Sequence, residues 1–127
     1  MPIVFLIALA LVVFALAASV KTKFSSIILI QTSFTSRELA NAFAKIATQD
    51  KLAACVSIYE SELFYSWQDN ACKDKEFVVK LQTLPRFKDK IVDAINKNQT
   101  QKNPQIIILE AKVYKTYYAW IQQFFAS

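Results

Sequence analysis

The 127-residue chain contains no glycine and no histidine. The lack of imidazole excludes histidine-based acid–base catalysis and histidine metal ligation within these residues. The lack of glycine excludes phosphate-binding loops of the GxGxxG or Walker type. Tight turns must then rely on asparagine, aspartate and proline. We predict the clearest turn at Asp69–Asn70, because both residue types tolerate left-handed backbone.

Cysteine is scarce as well, and the charge excess is mild. Cys55 and Cys72 are too few for a disulfide framework, and two cysteines alone make a poor zinc site. Cys55 lies in an apolar stretch and is predicted to be a packed core residue rather than a thiolate ligand or redox centre. Cys72 is predicted to lie in an exposed turn. The net charge of +5 comes from lysines interleaved with acids, which favours a solvated basic surface over a nucleic-acid interface.

Residues 2–20 form an unbroken apolar run whose length is close to the ~20 residues that span a bilayer as a helix. Two interpretations stay open, an uncleaved membrane anchor and a signal peptide with small-residue cleavage sites around Ala17. The missing basic region before the run favours the anchor. Lys21 and Lys23 after the run favour a cytoplasmic domain, yet the cues conflict and the side stays open. We therefore expect a membrane-associated or exported protein with a hydrophobic segment at 1–23 and one domain at 24–127.

The apolar patterns of the domain predict the element order β-α-β-β-α-β, followed by a further helix. Strands are predicted at residues 26–32, 56–67, 76–83 and 105–113. Helices are predicted after a capping box of Thr35 and Glu38, after Pro85, and after a cap at Thr116. This order is that of the α+β ferredoxin-like fold, whose antiparallel sheet carries its helices on one face. The other face needs a cover, and we expect another subunit to supply it.

One stretch of the domain resembles a known family. Lys51-Leu52-Ala53-Ala54-Cys55-Val56 is similar to a signature of the CutA, or divalent-cation-tolerance, family, and Tyr65-Ser66-Trp67 resembles its Y-x-W strand. Further matches between residues 26 and 124 are Glu76, Thr83, Pro104, Ile106, Ile107, Tyr117 and Trp120. The resemblance implies a ferredoxin-like fold and a tight homotrimer in which strands of one subunit extend the sheet of the next. It also implies a link to copper and other divalent metals, and no established catalysis.

The chain departs from this family where soft metal ligands are expected. The cysteine that some members carry after the first strand is Gln31 here, and the histidines before the fourth strand are Asn98 and Gln99. Because copper prefers imidazole and thiolate donors, we predict weak copper binding at these positions or none. No catalytic residue, resident metal site or certain cofactor is predicted. Subunit-interface or structural roles are predicted for Cys55, Tyr65, Trp67, Glu76, Tyr117 and Trp120.

Carboxylates of the second and third strands have two interpretations, an oxygen-rich cation site and a solvated charged edge that discourages strand pairing. Their spacing matches no EF-hand loop, so the charged edge is favoured. The residues concerned are Glu60, Glu62, Asp69, Asp74 and Glu76.

Three functions are compatible with the sequence. The first is a non-enzymatic CutA-like homotrimer linked to copper and divalent-metal tolerance. The second is a structural or anchoring trimer that presents a partner protein at a membrane through residues 2–20. The third is a small enzyme of the acylphosphatase type, which needs an anion cradle with a positioned arginine. The chain has only Arg37 and Arg86 and no glycine-rich loop, so we predict that it is not an enzyme.

Overall fold

The computed structural model describes residues 3–4, 6–11 and 23–127. Its domain contains four strands and three α-helices in the predicted order. They are β1 (Phe24–Phe34), α1 (Arg37–Gln49), β2 (Cys55–Trp67), β3 (Asn70–Thr83), α2 (Lys88–Asn98), β4 (Ile107–Tyr114) and α3 (Lys115–Ala126), with a 3₁₀ turn at Pro85–Phe87 before α2.

The four strands form one sheet in the order β2-β3-β1-β4. Every neighbouring pair is antiparallel, and β1 lies in the middle, with Ile30 opposite Leu81 of β3 and Ile108 of β4. The α+β ferredoxin-like fold is thereby confirmed. β2 and β4 are the outer strands, and each presents an edge that has no partner strand among residues 3–4, 6–11 and 23–127.

The main core lies between one face of the sheet and helices α1 and α2. Side chains alternate across a strand, so Ile30 and Phe34 of β1 point to the same side as Val79 and Leu81 of β3. The helices contribute the buried residues Ala40, Phe43, Ala47, Ile91 and Ile95. Full burial of each large aliphatic or aromatic side chain contributes about 1.5–3 kcal/mol, so this layer is the main source of stability.

The opposite face of the sheet is covered in part by α3. Ile27 of β1 and Ile121 of α3 are buried together with Leu84, which follows β3. Ala111 and Val113 of β4 pack against them. The chain therefore supplies some of the cover that we expected from another subunit. Leu109 and Ile107 lie beyond this cover and stay exposed.

Both predicted helix caps prove wrong. Ser36, not Thr35, has the extended backbone of an N-cap, and its hydroxyl accepts a hydrogen bond from the Leu39 backbone N–H at 3.2 Å. Thr116 caps nothing, because α3 starts one residue earlier, directly after β4. There the Lys115 backbone N–H donates to the Lys23 carbonyl at 2.9 Å. This bond satisfies one of the first N–H groups of α3, which have no acceptor within the helix.

The hairpin turn lies one residue before the predicted Asp69–Asn70. Gln68 and Asp69 form it, with φ of 48° and 63°, while Asn70 already pairs with Trp67 as the first residue of β3. A two-residue hairpin turn with positive φ at both positions matches the twist of the flanking strands. Cys72 consequently lies in β3 and not in a turn.

Cys55 is also placed differently from its prediction. It is half-buried rather than a core residue, because it opens the outer strand β2 and lies opposite Gln82 on the face away from α1 and α2. Val56 and Ile58 of the same strand contact the core instead.

Of the predicted hydrophobic segment, only a part falls within the described residues. Residues 3–4 and 6–11 are helical and their side chains are exposed. The remainder of the predicted anchor at 2–20 lies outside the described residues. Among the residues that are described, no helix has the length and apolar character needed to cross a membrane.

Candidate functional site

The residues at the family's metal-ligand positions are held by hydrogen bonds within the chain. Gln99 follows α2, and its side-chain Nε2 donates to the Thr32 hydroxyl at 3.1 Å and to the Ser33 carbonyl at 2.9 Å. Thr32 and Ser33 are buried near the end of β1. Asn98 donates to the Ala94 carbonyl in the last turn of α2 at 2.7 Å. The Gln99 amide thus connects the chain after α2 to β1, whereas the Asn98 amide bonds within α2.

Gln31 lies apart from Gln99. Its Nε2 donates to the side-chain oxygen of Gln105 at 3.2 Å. Gln31 and Thr32 are successive residues of β1 and therefore face opposite sides of the sheet, so the structure does not bring Gln31 to the amide that contacts Thr32. Across residues 3–4, 6–11 and 23–127, no cluster of three or more metal-ligating side chains occurs.

A second candidate site is the outer half of the β2–β3 hairpin, residues 61–76, which we call the hairpin arm. β1 pairs with β3 only from Phe77 to Thr83, so the two strands of the arm pair with each other alone. No side chain of the arm is fully buried. Phe64 is 69% exposed and Trp67 is 64% exposed. Exposure of such large apolar side chains is unusual unless another surface covers them.

The arm has two chemically different faces because side chains alternate along its strands. One face, continued inward by Glu60, carries ion pairs, with Lys75 at 2.7 Å from Glu60 and Lys73 at 3.6 Å from Glu62. Lys73 also lies over the Phe64 ring at 5.4 Å. The other face carries large apolar or aromatic side chains, namely Leu63, Tyr65 and Trp67.

Hydrogen bonds shift the pKa values of Glu60, Lys75 and Tyr65 on this hairpin. The hydrogen bond from Lys75 holds the pKa of Glu60 below its ordinary value, and the nearby positive charges of Lys75 and Arg37 act in the same direction. The hydroxyl of Tyr65 donates to the Asp74 carboxylate at 2.6 Å, which raises the pKa of Tyr65 to about 12. Glu60, Glu62 and Asp74 thus have partners in the folded chain.

A groove of about 490 Å³ lies where β1 ends beside the arm. It follows the edge of β3 that β1 leaves uncovered beyond Phe34. The lining residues are Phe34, Thr35, Leu63, Tyr65, Asp74, Lys75, Glu76 and Gln101. The predicted interface residues Tyr65 and Glu76 meet here, beside a strand edge that has room for another chain.

The remaining predicted interface residues lie elsewhere. Tyr117 and Trp120 of α3 stack with ring centroids 5.8 Å apart, and the Tyr117 hydroxyl donates to Gln82, the residue opposite Cys55. Cys55 and Tyr117 therefore share a neighbour, whereas Trp67 is at the far tip of the hairpin. Sequence reasoning missed Leu63, although the placement of acidic residues at every second position, Glu60 and Glu62, signals a two-faced strand.

Comparison with known proteins agrees with this architecture. A sequence model of the family described as CutA1 divalent ion tolerance protein matches residues 28–124. The divalent-cation tolerance protein CutA of Thermus thermophilus is 27% identical over 90 residues, which are 69% of this chain and 87% of that protein. The chloroplastic CutA protein of Arabidopsis thaliana is 28% identical over 83 residues, 65% of this chain, which spans only 46% of that relative.

Solved structures resemble the fold as well. A crystal structure of Pyrococcus horikoshii CutA, obtained in guanidine hydrochloride, superposes with a TM-score of 0.71 at 26% identity and covers 76% of this chain and 97% of that one. CutA from Synechococcus elongatus superposes with a TM-score of 0.74 at 21% identity, covering 81% of this chain and 93% of that one. The likeness to the second structure concerns the fold alone.

Proposed function

Because the chain belongs to the CutA1 divalent ion tolerance protein family, we propose that it is a non-enzymatic homotrimer that acts in divalent-cation tolerance without copper ligands at the family positions. The observation that carries this proposal is the hairpin arm, which projects beyond the sheet with exposed aromatic side chains. A two-stranded ribbon is only marginally stable in water by itself. A second copy of the chain is the cover that the family assignment favours.

The two outer strands suggest how the copies join. The edges of β2 and β4 have no partner within the part of the chain that the structure describes, and such edges pair readily with another strand. When the β2 edge of one copy meets the β4 edge of the next, the contact is head-to-tail and closes into a ring if the rotation per copy allows it. Closure at three subunits pairs the β2 and β4 edges of every subunit and brings each arm beside a neighbouring copy.

Subunit number is the direct test. Light scattering on the full chain, purified in detergent, is expected to give three chains per particle after subtraction of the detergent. The same measurement on a variant with a shortened hairpin, lacking residues 63–72 and closed by a new turn, is expected to give a monomer with a retained core. A monomeric parent chain would contradict the proposal.

The hydrogen-bonded amides support the proposed absence of a copper site. Gln99 and Gln31 bind groups of their own chain, and amide oxygens are weak ligands for copper. Calorimetric titration of the full chain with Cu²⁺ is expected to show no submicromolar site at these positions. Submicromolar binding that the substitution Gln99→Ala abolishes would refute this claim.

The lack of enzymatic activity is supported by residue chemistry. Histidine and glycine are absent from all 127 residues, so the commonest general base and the common phosphate cradles are missing. Tyr65 is exposed, and its pKa is raised to about 12, so it is a weaker acid than an ordinary tyrosine and the opposite of an activated nucleophile.

The apolar run at residues 2–20 favours a second candidate, a trimer that anchors a partner protein at a membrane. The two candidates share the assembly and the membrane attachment and differ in ligand response. A rise in melting temperature with divalent metals at low concentration favours a metal-linked function. An unchanged melting temperature, together with recovery of a defined membrane protein on the intact trimer, favours anchoring.

We place residues 2–20 in a bilayer in both cases, and resistance of the full chain to carbonate extraction tests this placement.

A further inference from the structure

The end of the sheet at which the apolar run enters the domain has an unusual surface. Phe24 begins β1 and lies opposite Tyr114, the last residue of β4. Their rings meet edge to face with centroids 5.7 Å apart, and the two side chains are 50% and 49% exposed. A tyrosine, which has an apolar ring and a polar hydroxyl tip, is typical of the membrane–water interface, and the Phe24 ring adds apolar surface beside it.

Three lysines surround this aromatic pair. Lys23 and Lys115 are joined through their backbones by the hydrogen bond from the Lys115 N–H to the Lys23 carbonyl at 2.9 Å. Lys112 lies opposite Ser26, on the same side of the ribbon as Tyr114. The ion pairs formed among residues 23–127 include none of these three ammonium groups. On that side of β4 the nearest acidic residue is Glu110, two residues before Lys112. With three lysines and one glutamate, the local charge stays positive.

The covalent connection limits how far this end can lie from the apolar run. Only three residue steps separate Val20, the last residue of the run, from Lys23. Each step spans at most ~3.6 Å, so Lys23 lies within about 11 Å of the end of the run. This distance is comparable to the Debye length of ~8 Å at physiological ionic strength. If the run lies in a bilayer, Lys23 is therefore close enough to its surface to respond to the surface potential, and Lys115 is hydrogen-bonded to Lys23 through the backbone.

We infer that Lys23, Phe24, Lys112, Tyr114 and Lys115 form a docking surface for the anionic headgroups of the bilayer that holds the apolar run. This inference rests on the membrane attachment proposed above. The lysines contact acidic headgroups while the aromatic pair enters the interfacial layer. Cyclic symmetry places three equivalent surfaces at one level along the three-fold axis, so all copies of the trimer face the same bilayer.

The surface also sets the orientation of the hairpin arm. β2 runs parallel to β1 in the sheet, and Cys55 lies at the level of Leu29 through their shared partner Gln82. Phe64 is therefore fourteen residues further along the strand direction than Phe24, which is roughly 45 Å at ~3.3 Å per residue. The domain stands on the start of β1, and the arm points away from the membrane.

Photo-crosslinking from single positions of the full chain tests this surface. A benzophenone side chain replaces Tyr114 in one variant and Phe64, the distant control position, in another. Both chains are reconstituted in vesicles of phosphatidylcholine with phosphatidylserine and in vesicles of phosphatidylcholine alone. We expect lipid adducts from position 114 in the anionic vesicles, several-fold fewer in the neutral ones, and only background from position 64.

Charge reversal at the surface provides the second comparison. Each lysine near an anionic membrane contributes about a fivefold gain in surface affinity, so Lys23→Glu, Lys112→Glu and Lys115→Glu together are expected to reduce the adducts from position 114 to background. The control variant combines Lys45→Glu, Lys97→Glu and Lys102→Glu, which change the net charge equally on exposed residues elsewhere, and it is expected to keep the adducts.

The outcomes separate this inference from the membrane attachment itself. Carbonate-resistant chains that give no lipid adducts at position 114, or adducts to a second chain instead of lipid, overturn the docking surface and leave the attachment intact. Equal adducts in neutral and anionic vesicles overturn its electrostatic basis. Chains that carbonate extracts from both kinds of vesicle overturn the attachment and the docking surface together.

Discussion

The two halves of the β2–β3 hairpin have the same strand pairing but different surroundings. In the inner half, Val79 and Leu81 are fully buried between β1 and the helices. In the arm, no side chain is buried and both faces are open to solvent. The pairing hydrogen bonds continue without interruption from one half to the other.

This difference shows that backbone pairing alone does not stabilise a strand. A hydrogen bond that replaces one with water contributes only about 0.5–1.5 kcal/mol net, and the entropy of ordering each residue is of similar size. The inner half is stabilised by the core that it buries. The arm lacks such a core within its own chain, and its stability therefore depends on whatever covers its aromatic face.

A substitution in the core of the inner sheet is expected to have the largest effect. Ile30→Ala removes a buried side chain between Leu81 and Ile108 and is expected to lower the free energy of unfolding by about 2–5 kcal/mol. Chemical denaturation followed by circular dichroism at fixed protein concentration measures this loss. The control Lys90→Ala, on the exposed side of α2, is expected to stay within about 0.5 kcal/mol of the parent.

Trp67→Ala is expected to weaken the assembly without unfolding the sheet. Loss of a large aromatic side chain that an interface buries costs about 2 kcal/mol or more, so the dissociation constant is expected to rise roughly thirtyfold or more. Sedimentation over a dilution series measures this change, while circular dichroism reports the intact core. Unchanged sedimentation of the Trp67 variant at every dilution would show that the tip of the arm is not covered by another copy.

The turn of the arm offers a gain in stability instead of a loss. Asp69 has a φ of 63°, a conformation that costs an L-residue about 1–2 kcal/mol and costs glycine far less. Asp69→Gly is therefore expected to raise the free energy of unfolding by up to about 1 kcal/mol. A matched Asn70→Gly variant, at a position inside β3, is expected to destabilise the protein, and a gain from both variants would contradict the assigned turn.

The smallest effect concerns titration at high pH. Because the hydrogen bond to Asp74 raises the pKa of Tyr65 to about 12, the folded arm keeps this proton where an unfolded chain releases it near pH 10. The associated stabilisation is complete below pH 10 and is lost as the pH rises to about 12. Ultraviolet absorbance of tyrosinate is expected to show a late phase that Tyr65→Phe removes and Asp74→Asn moves to lower pH.

Local sequence patterns predict the body of the domain well. Ile91 and Ile95 recur at helical spacing and are buried in α2 as expected, and the apolar run of β1 becomes the central strand. The pattern is less informative for residues 70–75, which are polar and resemble a turn. They form strand because β2 pairs with them, and a strand that is open on both faces leaves no hydrophobic alternation to detect.

The candidate site is less accessible to sequence reasoning than the fold. The exposed aromatic residues Tyr65 and Trp67 were identified, but their role at a subunit interface remains a prediction. The hydrogen bond from Gln99 to Thr32 joins residues 67 positions apart, a contact that depends on how α2 returns to the sheet. The cap at Ser36 was missed because Thr35 and Ser36 are equally good capping residue types, and only the backbone geometry separates them.

The unpaired edges of β2 and β4 have a further consequence for the proposed ring. A unit with a donor edge on one side and an acceptor edge on the other is also the repeat unit of a linear polymer. Whether such units form a ring or a filament depends on the angle that each adds, which here depends on the twist of the sheet. A substitution that flattens the sheet and leaves both edges intact would therefore promote fibre growth in this protein, even if each subunit folds normally.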